Sequence, residues 1–235
     1  MNTKSILILS DTHFPYQIPQ YFDWIKKIKD KVKPTMVIHI GDLVDFHAIS
    51  QHLHSAELPN IKYEIKDAIK CIQKLHKIFP GPLKILNGNH DIRIQRLAEK
   101  SLIPNSFLKN INDILEIDKK WKWTWHDKIV INLPNKNPIF FTHNFKTNVL
   151  SSSKELGMSL VTGHQHTKSS IEYWSSPTAL NFSLCTGCSI NPKHEAFKYG
   201  KNFIKRPIIS VASIIDSSPT IHSMPIVDGK WTGKL

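Results

Sequence analysis

Residues 6–13, Ile6-Leu7-Ile8-Leu9-Ser10-Asp11-Thr12-His13, decide the fold: four apolar residues in a row end on four polar ones. A run this short and this apolar reads as a strand buried on both faces. The pattern then changes period. From Tyr21 to Val32, Phe22, Ile25 and Ile28 fall on one side and Lys26, Lys27 and Asp30 on the other, which predicts a helix. Met36 to Ile40 is a second strand-like run, and Ile61 to Phe79 a second helix, with Ile65, Ala68, Ile69, Ile72 and Leu75 on one face. Pro80-Gly81-Pro82 stops that helix before a third strand at Leu83 to Leu86. The order βαβαβ requires crossovers, hence a largely parallel sheet with helices packed on it. Ile139 to Phe141 and Leu160-Val161 continue the strand pattern. Beyond Ser169 only strand-like runs follow, at 171–174, 180–184, 208–215 and 220–226, which predicts a second sheet packed on the first within one domain over residues 1–235.

Five of these apolar runs lead into side chains able to bind a metal. The first ends at Asp11 and His13, the second at Asp42 and Asp45, the third at Asn89, His90 and Asp91, and the later two at His143 and at His164 and His166. Loops at the carboxyl ends of parallel strands open into one crevice, so residues far apart in sequence would meet there. A set of imidazoles, carboxylates and an amide without cysteine suits Mn²⁺, Fe, Zn²⁺ or Ni²⁺ rather than Ca²⁺ or an iron–sulfur cluster. The ligands outnumber the needs of one catalytic ion. With a carboxylate such as Asp42 as a bridge they would serve two, about 3.5–4 Å apart, a spacing that clamps both oxygens in phosphoryl transfer.

In order and content, Asp11-x-His13, Gly41-Asp42-x-x-Asp45, Gly88-Asn89-His90-Asp91, His143 and Gly163-His164-x-His166 resemble the motifs of the calcineurin-like metallophosphoesterases. The resemblance implies an α/β fold, a four-layer α/β/β/α sandwich of two packed mixed sheets flanked by helices. It also implies two divalent metal ions, with Mn²⁺ the leading expectation. Asp11, His13 and His166 would hold the first ion, Asp42 would bridge, and Asn89, His143 and His164 would hold the second. His90 would stand beside the ions as the catalytic general acid, and a metal-bound hydroxide would be the nucleophile. Asp45 and Asp91 would orient ligands or hold loops. The protein Ser/Thr phosphatases of this family carry Arg after the second motif and Glu closing the third, where this chain has Phe46 and Asp91. The chain looks more like the nuclease and phosphodiesterase branches, and most like small phosphoesterases encoded by bacteriophages.

Other residues have competing explanations. Arg93 and Arg96 follow the third motif closely enough to grip a substrate phosphate. His47, His52 and His54 crowd the segment before Asn60 as a lid, a substrate contact or simply a polar loop, and His39, inside a strand run, reads as core. Trp121, Trp123 and Trp125 alternate, so on a strand they would share one face, packed or free to stack bases. Cys185-Thr-Gly-Cys188 has no second pair, which excludes a zinc ribbon and disfavours a redox pair.

Composition sets the outer bounds. The 235 residues are 40% hydrophobic and 21% charged, which excludes a disordered or collagen-like chain. Three cysteines cannot all pair, so a reducing compartment is expected, the cytoplasm, or the host's cytoplasm for a phage-encoded protein. The apolar start is too short for a signal peptide, and no run is long enough for a membrane span. The net charge of +12 draws anionic partners, although the excess is nearly all lysine, which a solvated surface explains as well as a nucleic-acid footprint. The expected activity is therefore hydrolysis of phosphodiester bonds in a nucleic acid or nucleotide substrate. A phosphomonoesterase acting on nucleotides or proteins is the nearest alternative, and a non-catalytic, metal-stabilised nucleic-acid-binding protein the more distant one.

Overall fold

A computed structural model describes residues 5–50, 60–132, 137–194, 196–197, 206–227 and 229–235; His52 and His54 lie outside them. In chain order the elements are β1 (Ser5–Leu9), α1 (Tyr21–Val32), β2 (Met36–His39), α2 (Ile61–Ile78), β3 (Leu83–Leu86), α3 (Arg93–Lys100), α4 (Ile111–Ile114), β4 (Thr124–His126) and β5 (Lys128–Asn132). There follow β6 (Pro138–Thr142), α5 (Val149–Leu156), β7 (Ser159–Thr162), β8 (Ser169–Ser175), β9 (Leu180–Thr186), β10 (Ser210–Ile215), β11 (Ser218–Ser223), β12 (Ile226–Val227) and β13 (Lys230–Trp231).

Two large mixed sheets form the body. The first has the order β11-β10-β1-β2-β3-β4 and the second β5-β6-β7-β9-β8. β1, β2, β3 and β4 run parallel to one another, and β6, β7 and β9 do the same in the second sheet, while β10, β11, β5 and β8 pair antiparallel at the edges. Period-two alternation explains why β1 carries no polar face. Ile6 and Ile8 point into the core between the sheets, where they meet Phe141, Val161 and Leu184, while Leu7 and Leu9 point outward to a second core under α1 and α2. All four are fully buried. Asn60 caps α2 by accepting from the backbone N–H groups of Lys62 and Tyr63, and Gly157 ends α5 in the left-handed conformation (φ 67°). α5 lies over the outer face of the second sheet, where Val149 packs on Leu160 and Cys185.

Two expectations need correction. β10 and β11 do not belong to the second sheet; β10 pairs antiparallel with β1 and so extends the first. The tryptophans do not share a strand face either. Trp121 closes a 3₁₀ turn, Lys122 turns left-handed, and only Trp125 lies in β4. The turn destroys the alternation, yet all three rings pack: Trp123 is buried, Trp121 stacks on His76 with centroids 3.9 Å apart, and Trp125 donates from Nε1 to Asn112 at 2.8 Å. No helix of the described residues is long and apolar enough to cross a membrane.

Candidate active site

The loops that leave β1, β2, β3, β6 and β7 meet at the carboxyl ends of their strands, as the parallel order requires. Tight reversals aim the side chains inward. Asp11, His13, Asp42 and His164 all have positive φ, between 30° and 65°, an uncommon conformation for residues with a Cβ that the surrounding structure must hold. Glycines let the loops touch. A Cβ on Gly88 would lie 2.1 Å from the backbone N and Oδ1 of Asp42, and one on Gly163 would lie 2.5 Å from Oδ2 of Asp11.

Asp42 is the centre. Its Oδ2 lies 3.5 Å from Nε2 of His13 on one side and 3.2 Å from Nε2 of His143 on the other. Ligand atoms of Asp11, His13, Asp42 and His166 lie within 4.8 Å of one another, and so do those of Asp42, His143 and His164. On the first side, Nε2 of His13 faces Nε2 of His166 at 3.1 Å, and Oδ2 of Asp11 is buried without a hydrogen-bond donor. On the second, Nδ1 of His143 donates to the Ile40 carbonyl at 3.1 Å, which turns Nε2 toward Asp42 and toward Oδ1 of Asn89, 3.1 Å away. Lone pairs thus converge on both sides of Asp42, and a positive charge is what satisfies them. A proton is one such charge: burial opposes the His143 imidazolium, but Asp42 outweighs it and pushes the pKa up to about 10. A divalent cation is the other, and the donor set fits one on each side.

Around this centre a few residues hold the ligands. Oδ2 of Asp45 lies 3.5 Å from Nδ1 of His13, and Oδ1 accepts from Nδ1 of His90 at 2.8 Å and from the Arg93 guanidinium at 3.0 Å. Burial would raise the Asp45 pKa, but the contacts with His13 and His90 hold it far below the carboxylate range. Arginine only donates and Asp45 only accepts, so the His90 tautomer follows. Nδ1 carries the proton, and Nε2 accepts from Arg93 at 3.1 Å. The His90 backbone N–H donates to Oδ1 of Asp42 at 2.8 Å. Burial lowers the His90 pKa, the Asp42 and Asp45 carboxylates outweigh it, and Arg93 opposes them. Asp91 accepts from the backbone of Val44 at 3.1 Å and of Gly88 at 2.9 Å, which staples the second loop to the third. Burial and Asp42 push its pKa up to about 7.

His39 is buried and more than filler. Its Nε2 meets Thr12 Oγ1 at 3.0 Å, and its Nδ1 accepts from Gly41 N–H, so it ties the first loop to the second. His47 is buried beside Tyr16, and its backbone N–H donates to Glu64 at 2.6 Å. Arg93 is held by Asp45 and His90, whereas Arg96 lies exposed one turn further along α3. Glu64 and Lys100 were not singled out by the sequence. Glu64 looks like one more polar position of α2, but Lys100 had a signal, since 93, 96 and 100 fall on one helical face.

Residues 4–196 match the sequence pattern of a family described as Calcineurin-like phosphoesterase. Among curated proteins, the Gene 54 proteins of Mycobacterium phages L5 and D29 are 26% and 27% identical to this chain over 95 residues. Those matches cover 39% of this chain and only 37% of each phage protein's length. Among solved structures, Vps29 of Chaetomium thermophilum is similar over 97% of this chain and 94% of its own, at 13% identity and a TM-score of 0.49. Yfce, a phosphoesterase from E. coli, is similar over 93% and 98%, at 14% identity and a TM-score of 0.46. With the family's pattern running from residue 4 through all five loops that build the site, the chain belongs to the calcineurin-like phosphoesterases.

Proposed function

We propose that this protein hydrolyses phosphodiester bonds of nucleic acid or nucleotides with the help of two divalent cations. Asp11, His13 and His166 would hold one ion, Asn89, His143 and His164 the other, and Asp42 both. The observation that carries the reading is the position of Asp42 Oδ2, within 3.5 Å of a ring nitrogen from each side. When bound, the cations would lower the pKa of water and offset the charge of the phosphate oxygens. Mn²⁺ is the first ion to test, since the mixed oxygen and imidazole set accepts it.

The chain's own residues do the rest. A water oxygen would bond to phosphorus and release a proton to solvent, the bond to the leaving oxygen would break, and that oxygen would take a proton from Nε2 of His90, which regains one from solvent as the products leave. Asp45 holds the opposite ring nitrogen and keeps Nε2 aimed at the reaction. For Nε2 to carry that proton, the Arg93 guanidinium must turn from it, and a substrate phosphate is the natural new partner. Phe46 and Asp91, at the positions where the protein phosphatases have Arg and Glu, support a diester over a phosphoprotein.

Hydrolysis of bis-p-nitrophenyl phosphate against p-nitrophenyl phosphate, with added Mn²⁺, tests this directly. The diester should be cleaved the faster, and Asp42→Asn should lose at least a hundredfold. Turnover of the monoester alone, or an Asp42→Asn variant as active as the parent, would overturn the reading. His90→Ala should keep both ions by metal analysis and lose about 10²–10⁴-fold in kcat, the usual contribution of general acid catalysis.

A further inference from the structure

Next to His90 one face of α3 and the start of the loop beyond Phe46 enclose a cavity of about 220 Å³. Asn89 lies at its inner end, Arg93, Arg96 and Lys100 supply its charge, and Ile49 and Leu97 its apolar sides. Spacing at i, i+3, i+4 and i+7 puts residues 93, 96, 97 and 100 in one row on the helix. No carboxylate is among the described residues that line the cavity. Asp45 neutralises Arg93 at the inner end, but Arg96 makes no ion pair among the described residues. Leu97 is 41% exposed, an apolar side chain open to solvent in the middle of a cationic row.

The row is long for one phosphate. At 1.5 Å per residue, Arg93 to Lys100 extends about 10 Å along α3, while the phosphates of an unstacked strand lie further apart than the roughly 3.4 Å axial rise of a stacked duplex, so the row reaches past one phosphate to a second. A single phosphate ester would reach only its inner end. Ile49 and Leu97 add surface for sugar or for base faces that a single strand exposes and a duplex keeps stacked.

We propose that this cavity is a subsite for the phosphates next to the scissile one, and that the substrate is a single strand of nucleic acid laid along α3 from Asn89 toward Lys100. The proposal rests on the phosphodiesterase reading above and narrows its substrate class. Arg96 and Lys100 are exposed, so replacing them leaves the core untouched.

The test compares wild type with the double variant Arg96→Ala/Lys100→Ala. A second pair, Lys62→Ala/Lys66→Ala, removes the same charge from the exposed face of α2. Binding of fluorescent oligothymidylates of two and eight nucleotides and of an eight-base-pair duplex is read by anisotropy, and of a nucleoside triphosphate by competition, in EDTA at several salt concentrations, and turnover of the octamer and of bis-p-nitrophenyl phosphate in Mn²⁺. Wild type should bind the octamer at least tenfold tighter than the dimer. The α3 variant should lose most of that gain, its log–log salt slope should fall by about 1.4 for two lost phosphate contacts, and its octamer-to-small-ester ratio of kcat/KM should drop at least tenfold. The α2 variant should keep the gain. Absence of length dependence in wild type, equal losses in both variants, or a nucleoside triphosphate or a duplex binding as tightly as the octamer would each overturn the proposal. Cleavage of the small diester with no gain for the octamer sinks the subsite alone. If wild type cleaves neither, the phosphodiesterase reading fails, and the anisotropy still decides whether a strand binds along α3.

Discussion

Asp45 is 1% exposed and stands one step behind the atoms that meet in the centre, yet it touches His13, His90 and Arg93 at once. Replacing one of its oxygens by an amide puts a donor against partners that also donate. Asp45→Asn should therefore cut kcat or metal affinity by about 10–100-fold, the range for outer carboxylates behind histidine ligands, with the fold intact by circular dichroism. Full turnover at unchanged metal content would show that the three contacts merely coexist. Gly88→Ala tests close approach instead. Gly88 does not need positive φ, so its Cβ would act only by crowding Asp42 at 2.1 Å. Metal analysis should show lost occupancy, and an occupied, active variant would mean that the loop yields. The motif residues were legible because each follows an apolar run. The hold of Asp45 on Arg93 was not, since the two lie 48 positions apart and only the tertiary fold brings them together.

Among the elements, the 3₁₀ turn His47–Ile49 depends on a single buried carboxylate. Glu64 of α2 accepts from the backbone N–H groups of His47 at 2.6 Å and Ala48 at 2.8 Å. Burial pushes its pKa from 4.5 to about 7, against the pull of those two donors. The folded chain thus holds the Glu64 proton more tightly than the unfolded chain does. Its contribution is complete below pH 4.5 and is lost as pH rises through about 7, a change of up to about 3 kcal/mol. Glu64→Gln cannot ionise, so between pH 5 and 7.5 its melting temperature should fall less than that of wild type; parallel curves would exclude this account. Glu64→Ala leaves two buried donors bare and should cost about 2–5 kcal/mol in urea unfolding. α1 and α2 were readable because Trp24, Ile25 and Ile28, and Ala68, Ile72 and Leu75, repeat at helical spacing on a buried face. α3 buries only Ala98, and α5 carries Ser151, Ser152 and Ser153, so neither shows a broad apolar stripe. β10 looked like part of a late second sheet because its partner, β1, lies about two hundred residues earlier, and no local pattern encodes such pairing.

Across the whole molecule the site joins two layers. Asp11, Asp42, Asn89 and His90 follow strands of the first sheet, and His143, His164 and His166 follow strands of the second. Between the layers, Ile8, Ile38 and Ile214 pack on Phe141, Val161 and Leu184, a contact with no covalent tie among the described cysteines, which are all free. Cations held by ligands from both layers would bind the folded chain and not the unfolded one, so their binding free energy adds to the stability of the pair. At a hundred times Kd one such ion adds about 2.7 kcal/mol, and for a chain of this size each kcal/mol raises Tm by about 2–4 °C. Protein stripped with EDTA should therefore melt about 10–20 °C lower than protein with both sites held at a hundred times Kd in Mn²⁺. Asp42→Asn should lose most of that rise, because Asp42 is shared by the two groups of ligand atoms. A control in the interface, Phe141→Ala, should cost about 3–5 kcal/mol by opening a cavity while its metal-dependent rise stays in place. A Tm indifferent to Mn²⁺, or an equal rise in Asp42→Asn, would show that the cations do not bridge the layers, whatever turnover is measured.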